Sequence, residues 1–135
     1  QEITQHTVEQ LIAWIENSYR DNAEISSYLA AAKKQYATAL ILLDSVQLTP
    51  AQDSDFLELR AGVYQASQRW PDAAAAYEAL LRYDDRVSRW WMGLAVAMDA
   101  QAKTMLASQA YQQAISLGGL DEPLNRYAHQ RLNQL

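Results

Sequence analysis

The side chains that most often do chemistry are few here and poorly placed for it. His6 and His129 are the two histidines, they stand near opposite ends of the chain, and there is no cysteine. A zinc site or a nucleophile–base pair needs several such groups brought together, commonly two of them within a turn or a short loop. Neither histidine belongs to an HExxH pattern, and no GxSxG, P-loop or GxGxxG occurs. Acidic pairs remain, at Asp53/Asp55 and Asp84–Asp85. Two carboxylates that hydrolyse a bond must face each other across a cleft, whereas both pairs fall at predicted helix junctions, where capping accounts for them. Gly118–Gly119 reads as a helix stop rather than a phosphate cradle. The expectation is a protein that is not an enzyme and carries no metal and no cofactor.

The elements that would hold a binding surface are legible in the composition. The chain has 135 residues, half of them apolar and a fifth charged, with a net charge of −5. Its eleven basic residues are scattered, so the footprint of a nucleic-acid binder is missing. No apolar run is long enough to span a bilayer. The start, "QEITQHTVEQ", lacks a signal-peptide pattern and an initiator Met, and reads as the edge of a portion of something longer.

Alanine, leucine and glutamine abound, with four glycines and three prolines, and no β-branched alternation suggests a strand. The class expected is all-α. Pro50 marks a loop with Asp53 or Ser54 as the next cap, Pro71 a helix start, and Pro123 the last helix. These signals predict eight helices, over 3–19, 22–33, 36–47, 53–67, 70–83, 87–101, 104–117 and 121–134.

Laying "SDFLELRAGVYQASQRWPDAAAAYEALLRYDD" over "SRWWMGLAVAMDAQAKTMLASQAYQQAISLGG" at an offset of 34 brings Leu57 onto Trp91, Ala61 onto Ala95, Tyr64 onto Met98, Ala73 onto Ala107, Tyr77 onto Tyr111 and Leu80 onto Ala114. One more step back gives a partial echo, with Ala39, Leu43 and Val46 in the second helix and Tyr36 under Trp70. Spacings of three and four put each set on one helix face, where small residues let two helices approach and large ones fill the space beside them. Each unit then forms an antiparallel helix hairpin that must stack on its neighbours.

This pattern resembles the tetratricopeptide repeat (TPR) family. Trp91, Leu94, Ala95 and Met98 stand for its first helix, and Ala107, Tyr111 and Ala114 for its second. Leu57, Ala61, Tyr64, Ala73 and Tyr77 fit the preceding unit, where Arg60 departs from the expected leucine. The resemblance implies a TPR-like α-solenoid: an N-terminal helix (1–19), a degenerate repeat (20–53), two repeats (54–87 and 88–120) and a capping helix (121–135). Trp91 is expected between the helices of its hairpin with Tyr111 against it, and Trp90 packed towards the preceding pair. The capping helix offers Leu124, Tyr127 and Leu132 or Leu135 as its apolar face.

In such a stack the first helices line a concave face that commonly takes a peptide. The residues placed there are Tyr28, Asp55, Glu58, Leu59, Gln65, Arg89, Met92, Val96 and Asp99, with Asp21, Glu24, Ile25, Gly62 and Gly93 beside them. Gly62 and Gly93, each in mid-helix, reflect either close packing or room for a ligand backbone. The Lys/Arg/Asn clamp of chaperone-binding TPRs is replaced here by Glu24, Tyr28, Glu58, Gly62 and Met92, which argues against an acidic C-terminal peptide. An apolar or basic segment fits better. The first helix, with "LIAWI" at 11–15, packs within the chain or joins two copies.

The stretches "LLDSVQLTPAQDSDFLELRAGVYQASQRWPDAAAAYEALLRYDD" and "SRWWMGLAVAMDAQ…YAHQRLNQL" also resemble the TPR proteins of MSHA pilus biogenesis. That resemblance implies a module on the periplasmic side of a bacterial inner membrane, held by an upstream anchor outside this chain. Its partners would be other proteins of type IV pilus assembly. The alternative is a cytosolic TPR adaptor that holds a client peptide.

Overall fold

The computed structural model describes residues 50–135, which form five helices and, among the described residues, no strand. They are α1 (Pro50–Ala66), α2 (Trp70–Tyr83), α3 (Ser88–Ala100), α4 (Thr104–Leu117) and α5 (Glu122–Gln134). The predicted N-terminal helix and the degenerate repeat up to residue 49 lie outside the described residues. Consecutive helices pack on one another in chain order, and α1 also touches α3. Packed neighbours joined by connections this short run antiparallel.

The bounds of α2 and α4 coincide with the sequence expectation, and those of α3 and α5 differ by a residue or less. The start of α1 requires a correction. Pro50 opens the helix instead of preceding it, so Asp53 and Ser54 lie inside α1 and do not cap it. A proline is tolerated in the first turn because the N–H it lacks would have had no intrahelical partner.

The period of 34 recurs in the backbone of the turns. After α1, the Gln68 N–H bonds the Gln65 carbonyl at 3.0 Å and the Arg69 N–H bonds the Tyr64 carbonyl at 2.9 Å. After α3, the Ala102 N–H bonds Asp99 at 3.0 Å and the Lys103 N–H bonds Met98 at 3.0 Å. Both are Schellman turns, and the left-handed residue is not glycine in either: Gln68 has φ 62° and Ala102 φ 59°. The next helix then starts from the same backbone angles, φ −87° and ψ 72° at Arg69, φ −88° and ψ 72° at Lys103.

The α2–α3 turn is built differently. The Asp84 carboxylate accepts from the Arg86 backbone N–H at 3.0 Å and from its guanidinium at 3.1 Å, and these two bonds hold its pKa below the usual carboxylate range. It organises the turn rather than capping α3, whose N-cap, Val87, has no side-chain bond. Gly118 and Gly119 end α4 with φ of 73° and 86°. Asp121 caps α5, its carboxylate accepting from the Leu124 N–H at 3.2 Å.

The core runs along α3. Every residue from Met92 to Met98 is buried, so this helix is enclosed around its whole circumference. Around it lie the buried Leu59, Ala61, Val63, Ala73, Tyr77, Leu80, Ala107, Tyr111, Ala114, Leu124 and Ala128. Leu57, Tyr64, Trp91, Tyr127, Leu132 and Leu135 are half-buried against it.

Candidate interaction surface

The residues expected on an open concave face need correction first. Leu59, Gln65, Met92 and Val96 are fully buried, and so is Glu58. An open face would leave a stripe of α3 in water, and the enclosure of that helix removes the stripe. Arg89 and Asp99 keep only part of their surface, and both are committed to internal ion pairs. Tyr28 lies outside the described residues, as does the side chain of Asp55.

These polar side chains serve two internal junctions. At the first, between α1 and α3, the buried Glu58 Oε1 accepts from Arg89 Nε at 2.7 Å and from the indole N–H of Trp90. A carboxylate taken out of water needs such donors, since a buried charge without them costs several kcal/mol. Two turns further along α1, Gln65 Nε2 donates to the Gly93 carbonyl at 2.9 Å. The pKa of the neighbouring Tyr77 is raised by burial above all and then by the charge of Glu58.

The Tyr77 ring explains Gly93. A Cβ at that position would overlap the ring, reaching 2.5 Å from Cε1 and Cε2. Of the two readings open from sequence, close packing is the one found at Gly93.

The second junction ties α3 and α4 to the last helix. Asp99 holds Arg131 in a two-point pair, Nε to Oδ2 at 2.7 Å and Nη2 to Oδ1 at 2.7 Å. The Tyr111 hydroxyl donates to Asp99 Oδ2 at 2.9 Å. Tyr127 meets the Tyr111 ring edge-on, centroids 6.2 Å apart. The Tyr111 pKa is pushed up by burial first, and then by Tyr127 and Asp99. The polar partner of Tyr111 is thus Asp99 on α3 and its aromatic partner Tyr127 on α5.

Of the tryptophan pair, Trp90 packs towards the preceding pair as expected, while Trp91 keeps more of its surface in water than a residue wedged between two helices would. Trp90 is the buried one, through Glu58. Trp91 is half-buried at the end of α3, and its indole N–H donates to the Asp85 carbonyl at 2.7 Å.

The large apolar side chains left in water sit mainly on α4. Met105 is 75% exposed and Leu106 48%, with Leu117 at the far end of the helix and Tyr83 at the end of α2 also in water. No periodic signal marks Met105 and Leu106, because they sit outside the repeat's packing positions. Among the described residues no three acidic or histidine side chains converge as metal ligands, and no helix is long and apolar enough to cross a membrane. No family model, curated protein or solved structure matches the chain.

Proposed function

We propose that this chain is a TPR-like α-solenoid of about eight helices acting as a non-catalytic protein–protein interaction module. The observation that carries the reading is the 34-residue recurrence, present in the packing residues and again in the two Schellman turns. Stacked hairpins of this kind present extended surfaces, and what they bind is set by side chains outside the packing positions. Met105 and Leu106 are such side chains: large, apolar and in water. The resemblance to proteins of MSHA pilus biogenesis directs the choice of partner to type IV pilus assembly, on the periplasmic side of the inner membrane.

The test is capture from solubilised cell envelopes with the full chain as bait, beside a Met105→Glu/Leu106→Glu variant checked for unchanged helicity. Pilus-assembly proteins held by the first and lost by the second support the reading. Capture of cytosolic proteins alone would return the function to a cytosolic adaptor, and equal capture by both variants would move the binding surface away from α4.

A further inference from the structure

Helix α4 carries no charge. From Thr104 to Leu120 there is no Asp, Glu, Lys or Arg, in a chain where a fifth of the residues are charged. The outer face of a surface helix is ordinarily where charged side chains collect. On α4 that face includes Met105, Leu106, Gln109, Gln112, Gln113 and Leu117, all exposed. Such a face can be covered by another like it, since no ion there has to give up its hydration.

The order of residues along the face selects the cover. Met105, Gln109, Gln113 and Leu117 follow one another at a spacing of four, so they form one ridge of the helix. Ridges of this kind interdigitate with their like in the commonest class of helix packing. This ridge also reads the same from both ends: apolar, glutamine, glutamine, apolar. Met105 and Leu117 each lie six residues from Tyr111, and Gln109 and Gln113 each lie two. A second copy turned antiparallel, about a two-fold axis at the level of Tyr111, therefore sets its Leu117 beside Met105 and its Gln113 beside Gln109. A two-fold contact needs a surface complementary to itself, and glutamine supplies that because its amide both donates and accepts.

The charges at the ends fit the same orientation. Lys103 is exposed just before α4, and Asp121 and Glu122 come after it. Antiparallel helices bring the Lys103 end of each copy to the Asp121–Glu122 end of the other, whereas parallel helices would set like against like. At Gly118, between them, a Cβ would meet nothing within 4 Å, which leaves room for the long side chain of Met105 to cross.

We propose that α4 docks a second copy of this chain, in an antiparallel α4–α4 dimer with Met105 against Leu117 and Gln109 against Gln113. This rests on the reading of α4 as the binding face and names its occupant. A helix of 14 residues is about 21 Å long, so the contact stays below the roughly 1,200 Å² at which permanent complexes begin. The dimer is accordingly reversible, and an outside partner of the same face competes with the second copy.

Sedimentation of the full chain over a wide concentration range is the first test. The expected result is a monomer–dimer equilibrium with Kd on the order of 10–100 µM. Gln109→Glu/Gln113→Glu puts two carboxylates from each copy into the contact and should weaken it by roughly tenfold or more, with Tm unchanged because both side chains are exposed. The absence of cysteine lets the register be read directly. An equal mixture of Gln109→Cys and Gln113→Cys proteins, oxidised mildly, should give the mixed disulfide in excess over the half that random pairing yields, as read by mass. A monomer at every concentration would overturn the second copy, and envelope proteins still lost with Met105→Glu/Leu106→Glu would then keep α4 as the face for an outside partner. A dimer indifferent to Gln109→Glu/Gln113→Glu, or disulfides paired at random, would also overturn it by moving the contact off α4. The expected dimer and mixed disulfide beside an empty envelope capture would support the second copy and sink the pilus reading alone.

Discussion

Gly93→Ala ought to stabilise an ordinary helix, since alanine is favoured over glycine in a helix interior by about 1 kcal/mol. Here the opposite is expected. The added methyl would lie 2.5 Å from Tyr77 Cε1 and Cε2, whereas carbon atoms rest at about 3.5–4.0 Å. The ring must therefore shift by an ångström or more, inside a core where it is 1% exposed. Overpacking of this kind costs about 1–3 kcal/mol, and the ring meets the methyl centrally, which places the cost at the upper end. Set against the propensity gain, the net loss is about 2 kcal/mol. Urea unfolding of the full chain measures it, and Tyr77→Leu supplies the control. With the ring gone, Gly93→Ala should be neutral or stabilising, so the double-mutant cycle should show a coupling of about 2–3 kcal/mol. A Gly93→Ala protein as stable as the parent, or a cycle with no coupling, would refute the wedge of Tyr77 against α3.

Three further outcomes follow from the same geometry. Asp99→Ala removes both bonds to Arg131 and the one from Tyr111; because Arg131 can turn to water, the loss is held to about 1–2 kcal/mol, and amide exchange should quicken in α5 well before α2. Tyr77 and Tyr111 keep their protons in the folded state beyond the ordinary range, so their contribution is intact below about pH 10 and is lost as pH rises above it, by about 1.4 kcal/mol per pH unit for each. Alkaline unfolding followed by tyrosinate absorbance should begin near that point, and Tyr77→Phe should make the slope shallower. Ala102→Gly relieves a left-handed alanine and should stabilise by about 0.5–1 kcal/mol after the entropy of a freer unfolded chain is subtracted, read as a higher Tm; Gln68→Gly should act alike and additively.

The helices were legible because their signals are local: breakers at Pro71, Gly118–Gly119 and Pro123, and apolar spacing between them. Pro50 was misread because a proline serves equally as the end of a loop and the first turn of a helix. The burial of Met92 and Val96 was not legible. Periodicity tells which residues share a face of α3, and it does not tell how many neighbours close around that helix. The junctions of Glu58 with Arg89 and Trp90, and of Asp99 with Arg131, escaped for another reason. Each joins residues more than thirty positions apart, and no spacing within a single helix records such a pair. Gly93 did leave a signal, as a glycine in mid-helix, and what it lacked was the partner on α2.

Those two junctions also bear on how the molecule comes apart. If helices touched only their sequence neighbours, the array could fray from an end one helix at a time. Glu58 reaches across α2 to α3, and Asp99 reaches across α4 to α5, so each link bypasses a helix. Losing α5 exposes the Asp99 carboxylate on α3, and losing α1 leaves Arg89 and Trp90 without their acceptor there. Helices α1 and α5 are therefore both energetically answerable to α3, and α1 to α5 should open as one cooperative unit with nearly uniform exchange protection at their cores.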